Sequence, residues 1–258
     1  MLAANSADFG TVICVPRFSP LVVIPTYNER DNIDRMLEAL CALDYEVSVL
    51  IVDDSSPDGT ADLVKTRQES SGFVHLLERP AKSGLGSAYR DGFAWAISHG
   101  FSHVVEMDAD FSHRPEELER LLAAARGGAD LVIGSRYIAG GVIPQWSRKR
   151  RWLSRGGNIY ASTLLRLRVL DATSGYRAYS AGALEKMKYH ECTTSGYGFQ
   201  IDMTDRAVRA GLGIVEVPIT FSDRQVGQSK MSTHIVTEAL GLVTRRFFER
   251  LWASVARR

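Results

Sequence analysis

Apolar and polar positions follow a repeating order through the first half of the chain: a short apolar run, then a longer stretch with apolar residues three and four apart. The runs at 21–25, 47–52, 73–77, 103–107 and 130–133 are bounded by polar or turn-forming residues, which predicts five buried strands. Helical periodicity fills the intervals around 32–43, 61–68, 87–98 and 115–125. Strands alternating with helices of this length predict βαβ units and a mostly parallel central sheet. In such sheets, ligands bind outside the carboxyl ends of the strands.

The second half is less regular. A basic, aromatic segment at 146–155 leads into a predicted helix ending near Leu167, and a second helix is predicted over 200–210. A short strand at 214–217, a polar stretch at 222–232 and an amphipathic helix at 235–255 complete the chain. No internal repeat or low-complexity linker interrupts it. The expected organisation is an N-terminal extension (1–19), one α/β domain (20–230) and a helical tail (231–258).

Composition narrows the function classes. A chain of 258 residues with 45% apolar and 24% charged residues is long enough for one sizeable core and too apolar for disorder. Its formal net charge of +1 gives no global field to recruit nucleic acid, so steering must come from local clusters. Cys14, Cys41 and Cys192 are odd in number and far apart, which disfavours a disulfide framework or zinc cluster and fits a reducing compartment. The first twenty residues contain Asp8 and lack a basic start, so no signal peptide is expected. No stretch reaches the roughly 18 uncharged apolar residues of a spanning helix.

Polar residues cluster where the strands end. The first is followed by Pro25-Thr26-Tyr27-Asn28-Glu29, and the second by Asp53-Asp54-Ser55-Ser56-Pro57-Asp58-Gly59-Thr60. The fourth leads to Asp108-Ala109-Asp110, and the fifth to Gly134-Ser135-Arg136-Tyr137. Four polar ends on one edge predict one site. If the backbone stays extended at Asp108 and Asp110, both carboxylates face one point and offer hard oxygens suited to Mg²⁺ or Mn²⁺. The same pair also suits a solvated acidic turn before the helix near Pro115. A carboxylate at Asp53 or Asp54 can accept from a ribose hydroxyl or a base amine, while Ser-Pro-Asp-Gly is turn chemistry in which Asp58 caps the next helix. A dinucleotide fingerprint fails: Gly84-Leu85-Gly86 continues to Tyr89 where a third glycine is needed, and it does not directly follow a first strand. Gly84 and Gly86 are expected to let the chain turn tightly into a helix.

Taken in order, these four motifs resemble the signature of family 2 glycosyltransferases. Thr173-Ser174-Gly175-Tyr176-Arg177, Gly196-Tyr197-Gly198-Phe199-Gln200, Glu216-Val217-Pro218-Ile219-Thr220-Phe221, and Arg224 through Ser229-Lys230 narrow the resemblance to the dolichol- or polyprenol-phosphate mannose synthases, over roughly residues 20 to 245. The resemblance implies a GT-A-type nucleotide-binding fold and an inverting, metal-dependent transfer of mannose from GDP-mannose to a polyprenyl (dolichyl) phosphate. It implies guanosine contacts from Pro25, Tyr27, Glu29, Val52 and Asp54, with Ile201 also on the donor side. It places Asp108, Ala109 and Asp110 at the diphosphate with Mg²⁺ or Mn²⁺, and Ser112 where some relatives carry a third ligand, Gln. Arg136, Arg224 and Lys230 are implied at phosphates, the last two in a loop able to close over bound donor.

On the acceptor side, Arg148-Lys149-Arg150-Arg151 and Arg155 lie beside Trp146 and Trp152. Ser135, Arg136, Arg148, Arg151 and Arg155 are expected near the acceptor phosphate or anionic lipid headgroups, although a solvated helix face is the plainer reading of such a run. Gln200 and Asp202 are further candidates for the sugar or acceptor. No His-centred dyad suggests a general base, and a phosphate acceptor with a second pKa of about 6 hardly needs one. In the tail, Val236, Leu240, Val243, Phe247 and Leu251 form a stripe that either lies in a bilayer interface or covers the domain. The expected location is peripheral, on the cytoplasmic face of a membrane, and the resemblance further implies a membrane-spanning partner protein that presents the lipid. Two alternatives remain: a UDP-sugar donor on the same fold, and a nucleotide-sugar-binding subunit without turnover.

Overall fold

The computed structural model describes residues 18–43, 45–194, 196–222, 240–249 and 252, apart from the side chain of Tyr197. Its centre is a seven-stranded sheet: β1 (Pro20–Thr26), β2 (Ser48–Asp53), β3 (Val74–Glu78), β4 (His103–Glu106), β5 (Leu131–Ser135), β6 (Arg177–Ser180) and β7 (Ile214–Pro218). The order is β3-β2-β1-β4-β6-β5-β7. β6 runs antiparallel to both of its neighbours, and the other pairings are parallel. The five strands expected from the apolar runs are all present, and β1, β2, β4 and β5 end on one edge.

Each central strand is buried on both faces, so its alternate residues feed two cores. Val22, Ile24, Val49, Ile51, Val105 and Val132 pack with Ile33, Met36, Leu37 and Leu40 of α1 (Arg30–Cys41), Val64 of α2 (Thr60–Ser70) and Leu118, Leu121 and Leu122 of α4 (Leu118–Arg126). Leu21, Val23, Leu50, Val52, Val104, Leu131 and Ile133 pack on the other face. There they meet Tyr89 and Phe93 of α3 (Leu85–Ser98), Ala161 of α5 (Arg148–Leu164), Leu184 of α6 (Ala181–Met187) and Phe199 and Met203 of α7 (Gly196–Arg209). Gly92 sets the approach of α3, since a Cβ there would lie 2.5 Å from Val23 Cγ1. The architecture is the expected α/β layering with a mostly parallel sheet.

Three details differ from the sequence reading. β6 and α6 occupy a stretch read as irregular, and the basic segment is itself the first half of α5. Trp146 is buried, 6% exposed, so it is no outward anchor, while Trp152 is 79% exposed. In the tail, residues 240–249 are helical and bury Leu242 and Val243, with Val243 in the core beside α7. Arg246 reaches Asp202 at 2.9 Å and Thr244 Oγ1 lies 2.9 Å from the Tyr160 hydroxyl. This segment covers the domain, with Leu240, Phe248 and Trp252 turned outward. Val236 and Leu251 of the proposed stripe lie outside the described residues, as do the boundary at 230/231 and Cys14. Among the described residues, no helix is long and apolar enough to cross a membrane.

Candidate functional site

The loops after β1 and β2 are tied together by side chains. Ser56 Oγ accepts from Asn28 N at 3.0 Å, Thr60 Oγ1 from Glu29 N at 3.2 Å, and Asp58 Oδ2 from Arg30 N at 3.1 Å. Asp58 Oδ1 also takes the Thr60 N–H at 3.0 Å, an Asx turn leading into α2, whose N-cap is Gly59 and not the expected Asp58. Asp53 is structural: buried, it accepts from Thr26 Oγ1 and from the amide and hydroxyl of Ser56. Asn28 and Ser55 both adopt positive φ, 59° and 55°, which the surrounding hydrogen bonds hold in place.

These ties leave Pro25, Tyr27 and Glu29 half-buried on the sheet edge that also carries Asp54. Arg79, at the end of β3, was not singled out by sequence. It is buried, pairs with Asp54 and with Asp91 at 2.9 Å, and donates to Ser87 Oγ at 2.6 Å. Lys82 Nζ stands 3.8 Å over the Tyr27 ring, a cation–π contact. Val52 is wholly buried in the core, and so is Ile201, at 3% exposure. The side chains of these two expected donor contacts therefore face the interior.

β4 stops at Glu106, so Asp108-Ala109-Asp110 is not extended, contrary to the sequence argument; residues 109 and 110 form a turn. The Asp108 side chain is 32% exposed and Asp110 is buried, its Oδ1 accepting from Ser112 N at 3.0 Å. Ser112 itself is buried, and its carbonyl accepts from Ser222 N at 3.3 Å. His113, another residue the sequence reading missed, places Nδ1 3.1 Å from the Asp108 amide. Burial lowers its pKa despite the opposing pull of Asp108 and Asp110. Among the described residues no group of three or more His, Cys, Asp or Glu could hold a metal ion. Two hard carboxylates at a strand end fit an ion completed by substrate phosphate and water, as Mg²⁺ sites commonly are.

Beside this turn lies a buried charged network. Arg177, fully buried, donates to the carbonyls of Ser174, Gln200 and Ala172 and to Thr204 Oγ1. Gln200 Nε2 donates to Glu106 Oε2 at 2.7 Å. Burial pushes the Glu106 carboxyl up to about 7, although Arg177 and the Gln200 hydrogen bond oppose it. Asp202 is equally buried and pairs with Arg206 and Arg246. Gln200 and Asp202 thus point into the fold rather than toward a sugar.

At the end of β5, Ser135 is fully buried and Arg136 nearly so. The Arg136 guanidinium meets Asp171 through Nε and Nη2, both at 2.7 Å, and its backbone N–H meets the same carboxylate at 3.0 Å. Thr173 Oγ1 accepts a further bond at 2.8 Å, and Asn158 of α5 donates to the same hydroxyl at 3.1 Å. Two cations stand over the Trp146 ring, Arg136 at 5.7 Å and Arg150 at 4.0 Å. The expected phosphate ligand is therefore held in an ion pair whose carboxylate partner lies 35 residues away. Arg148, Arg151 and Arg155 are exposed on α5, with Arg151 Nη2 donating to the Ile143 carbonyl at 2.9 Å. Arg224 and Lys230 lie outside the described residues.

Known proteins sharpen this picture. The chain is 48% identical over 238 residues to the undecaprenyl-phosphate mannosyltransferase of Micrococcus luteus, covering 92% of this chain and 98% of that one. It is 47% identical over 226 residues to the polyprenol monophosphomannose synthase of Mycolicibacterium smegmatis, covering 87% and 85%. Its fold is that of the glucosyl-3-phosphoglycerate synthase of Mycobacterium tuberculosis, solved with Mn²⁺, UDP-glucose and phosphoglyceric acid, with a TM-score of 0.65 at 20% identity over 90% of this chain and 80% of the other. A family model described as glycosyl transferase family 2 matches residues 21–188, and with the strand-end site just described, the chain belongs to that family.

Proposed function

We propose that this chain is an inverting glycosyltransferase that moves mannose from GDP-mannose to a polyprenyl phosphate. The observation that supports the reading most is the 48% identity, over 98% of its length, to a Micrococcus luteus protein named undecaprenyl-phosphate mannosyltransferase. Pro25, Tyr27, Glu29 and Asp54, which share one edge of the sheet, would meet the nucleoside. Asp108, Ala109 and Asp110 lie at the diphosphate. Asp108 and Asp110 would hold Mg²⁺ or Mn²⁺, which when bound supplies electrostatic stabilisation to the departing diphosphate. Arg224 and Lys230 are assigned to the same leaving group on sequence grounds alone.

In the transfer, an oxygen of the lipid phosphate forms a bond to the anomeric carbon as the bond from that carbon to the GDP oxygen breaks, with inversion. The acceptor is largely dianionic at neutral pH and needs no base to remove a proton. His113 agrees with that: it is buried and accepts from a backbone amide instead of facing an acceptor. Arg136 acts here by ordering the acceptor end, through Asp171, Thr173 and Asn158 of α5.

Along α5, Trp152, Leu153 and Ile159 are exposed among Arg148, Lys149, Arg151 and Arg155. That pairing of apolar and cationic side chains supports docking at an anionic lipid surface on the cytoplasmic face, where a membrane-spanning partner would present the lipid phosphate. The donor is tested by incubating the protein with a short polyprenyl phosphate and Mg²⁺ or Mn²⁺, with GDP-mannose or UDP-glucose in separate reactions. Mass spectrometry is expected to find a mannolipid from the first only. A glycolipid from UDP-glucose alone, or from neither donor, overturns the reading.

A further inference from the structure

The chain must reverse between Glu106, where β4 ends, and Pro115, where the next helical turn begins. Three local devices shape that reversal. Asp110 Oδ1 takes the Ser112 amide at 3.0 Å, and Phe111 adopts φ 60°. His113 then reaches back five residues, and its Nδ1 lies 3.1 Å from the Asp108 amide. A nitrogen that accepts an N–H bears a lone pair, so this contact assigns the imidazole proton to Nε2. Nδ1 is also 3.8 Å from Asp108 Oδ2, too long for a hydrogen bond.

The ring is fixed from outside the loop. It stacks on Tyr176 at 4.9 Å and 19°, and meets the edge of Phe221 at 5.8 Å and 67°. Tyr176 donates to the Arg114 carbonyl at 3.2 Å, clamping the residue that follows His113. A phenyl ring could keep these two ring contacts. It could not accept the Asp108 amide, and an amide left without a partner there would favour another backbone path.

We propose that His113 is a positioning residue. By accepting the Asp108 amide through Nδ1, it fixes the turn in which Asp108 and Asp110 can share one divalent cation. This rests on the assignment of those two carboxylates to the cation in the proposed function. Partners of this outer kind typically change metal affinity ten- to a hundredfold when lost.

The test compares His113→Phe, His113→Asn and His113→Gln with the wild type in two measurements: Mn²⁺ binding in the presence of GDP by electron paramagnetic resonance, and the melting temperature without metal. Asn can set its amide oxygen where Nδ1 stands, Gln sets it one methylene further out, and Phe keeps only the packing. Mn²⁺ affinity is expected to fall roughly ten- to hundredfold in Phe and Gln and to stay within about threefold in Asn. Melting temperature should follow the opposite order for Phe and Asn, because Asn loses the ring stack. The inference fails if the Phe variant binds Mn²⁺ like the wild type, or if affinity simply tracks melting temperature across the three variants. A wild type that binds no Mn²⁺ with GDP overturns instead the carboxylate assignment beneath it.

Discussion

Removing Asp171 should unmask a buried charge. Asp171 is fully buried, and its carboxylate receives three hydrogen bonds from Arg136, which is itself 6% exposed. Burial alone would raise this carboxyl, but the guanidinium's charge and hydrogen bonds outweigh it and hold it below its ordinary value. Glu216 secures the loop by accepting the amides of Leu170 and Asp171 at 2.8 and 2.9 Å, so Asp171→Ala leaves the loop anchored while taking from Arg136 the carboxylate that balances its charge. Breaking a buried pair from one side costs about 3–5 kcal/mol. In a domain of this size each kcal/mol shifts the melting temperature by about 2–4 °C, so a fall of roughly 6–20 °C is expected. Urea denaturation at pH 7 should show the same loss in midpoint, and Asp171→Asn, which keeps an acceptor oxygen, should lose less. Replacing both partners with apolar residues, Arg136→Met with Asp171→Leu, should recover most of the stability. The sign with pH follows from the depressed carboxyl: its stabilisation is present above the unfolded-state value and disappears as pH falls through the folded-state value. A loss under about 1 kcal/mol for Asp171→Ala would refute the claim that Arg136 is held chiefly by this partner.

Glu106 predicts the opposite dependence. Its carboxyl is raised to about 7, so its contribution is present below the unfolded-state value near 4.5 and is lost as pH rises toward 7. Glu106→Gln should flatten the decline in thermal stability between pH 5 and 8; an unchanged slope assigns that decline to other groups. Val243→Ala, at a buried tail position, should cost about 2 kcal/mol, whereas Phe248→Ala on the outward side should stay within about 0.5 kcal/mol. Equal losses in denaturation would place the tail differently. Changing Arg148, Arg151 and Arg155 together to Ala should weaken binding to anionic vesicles about a hundredfold at about 1 kcal/mol per cation, with little change for neutral vesicles. Undiminished sedimentation with anionic vesicles would make this helix face merely solvated.

The central strands were legible because both faces of each are buried, which leaves continuous apolar runs such as 21–24 and 49–52. The polar strand ends were legible for the same reason: the change from apolar to Asp, Ser and Asn marks where the sheet stops. β6 escaped because it has only four residues and begins with Arg177, a charge that reads as solvent-facing yet is sated by three carbonyls and a hydroxyl. Glu106 was hidden likewise, beneath the turn it precedes. The pairings Arg136–Asp171 and Asp54–Arg79 span 35 and 25 residues, separations at which no local period reports contact. His113 lay within the motif itself, but nothing in Asp-Ala-Asp-Phe-Ser-His shows that the ring folds back on its own loop. The carboxylate pair was placed correctly at the end of β4 for an incorrect geometric reason, since a turn and not an extended strand presents it.

The proposed transfer depends on the turn after β4 gripping a divalent cation at the donor's diphosphate. Crystals grown with GDP and Mn²⁺ and measured at the manganese absorption edge test it most directly. An anomalous peak about 2 Å from carboxylate oxygens of Asp108 and Asp110, touching the diphosphate and absent from Asp110→Asn crystals, is the predicted result. A fully occupied GDP with no peak at those two side chains, or a peak held by other residues, contradicts it.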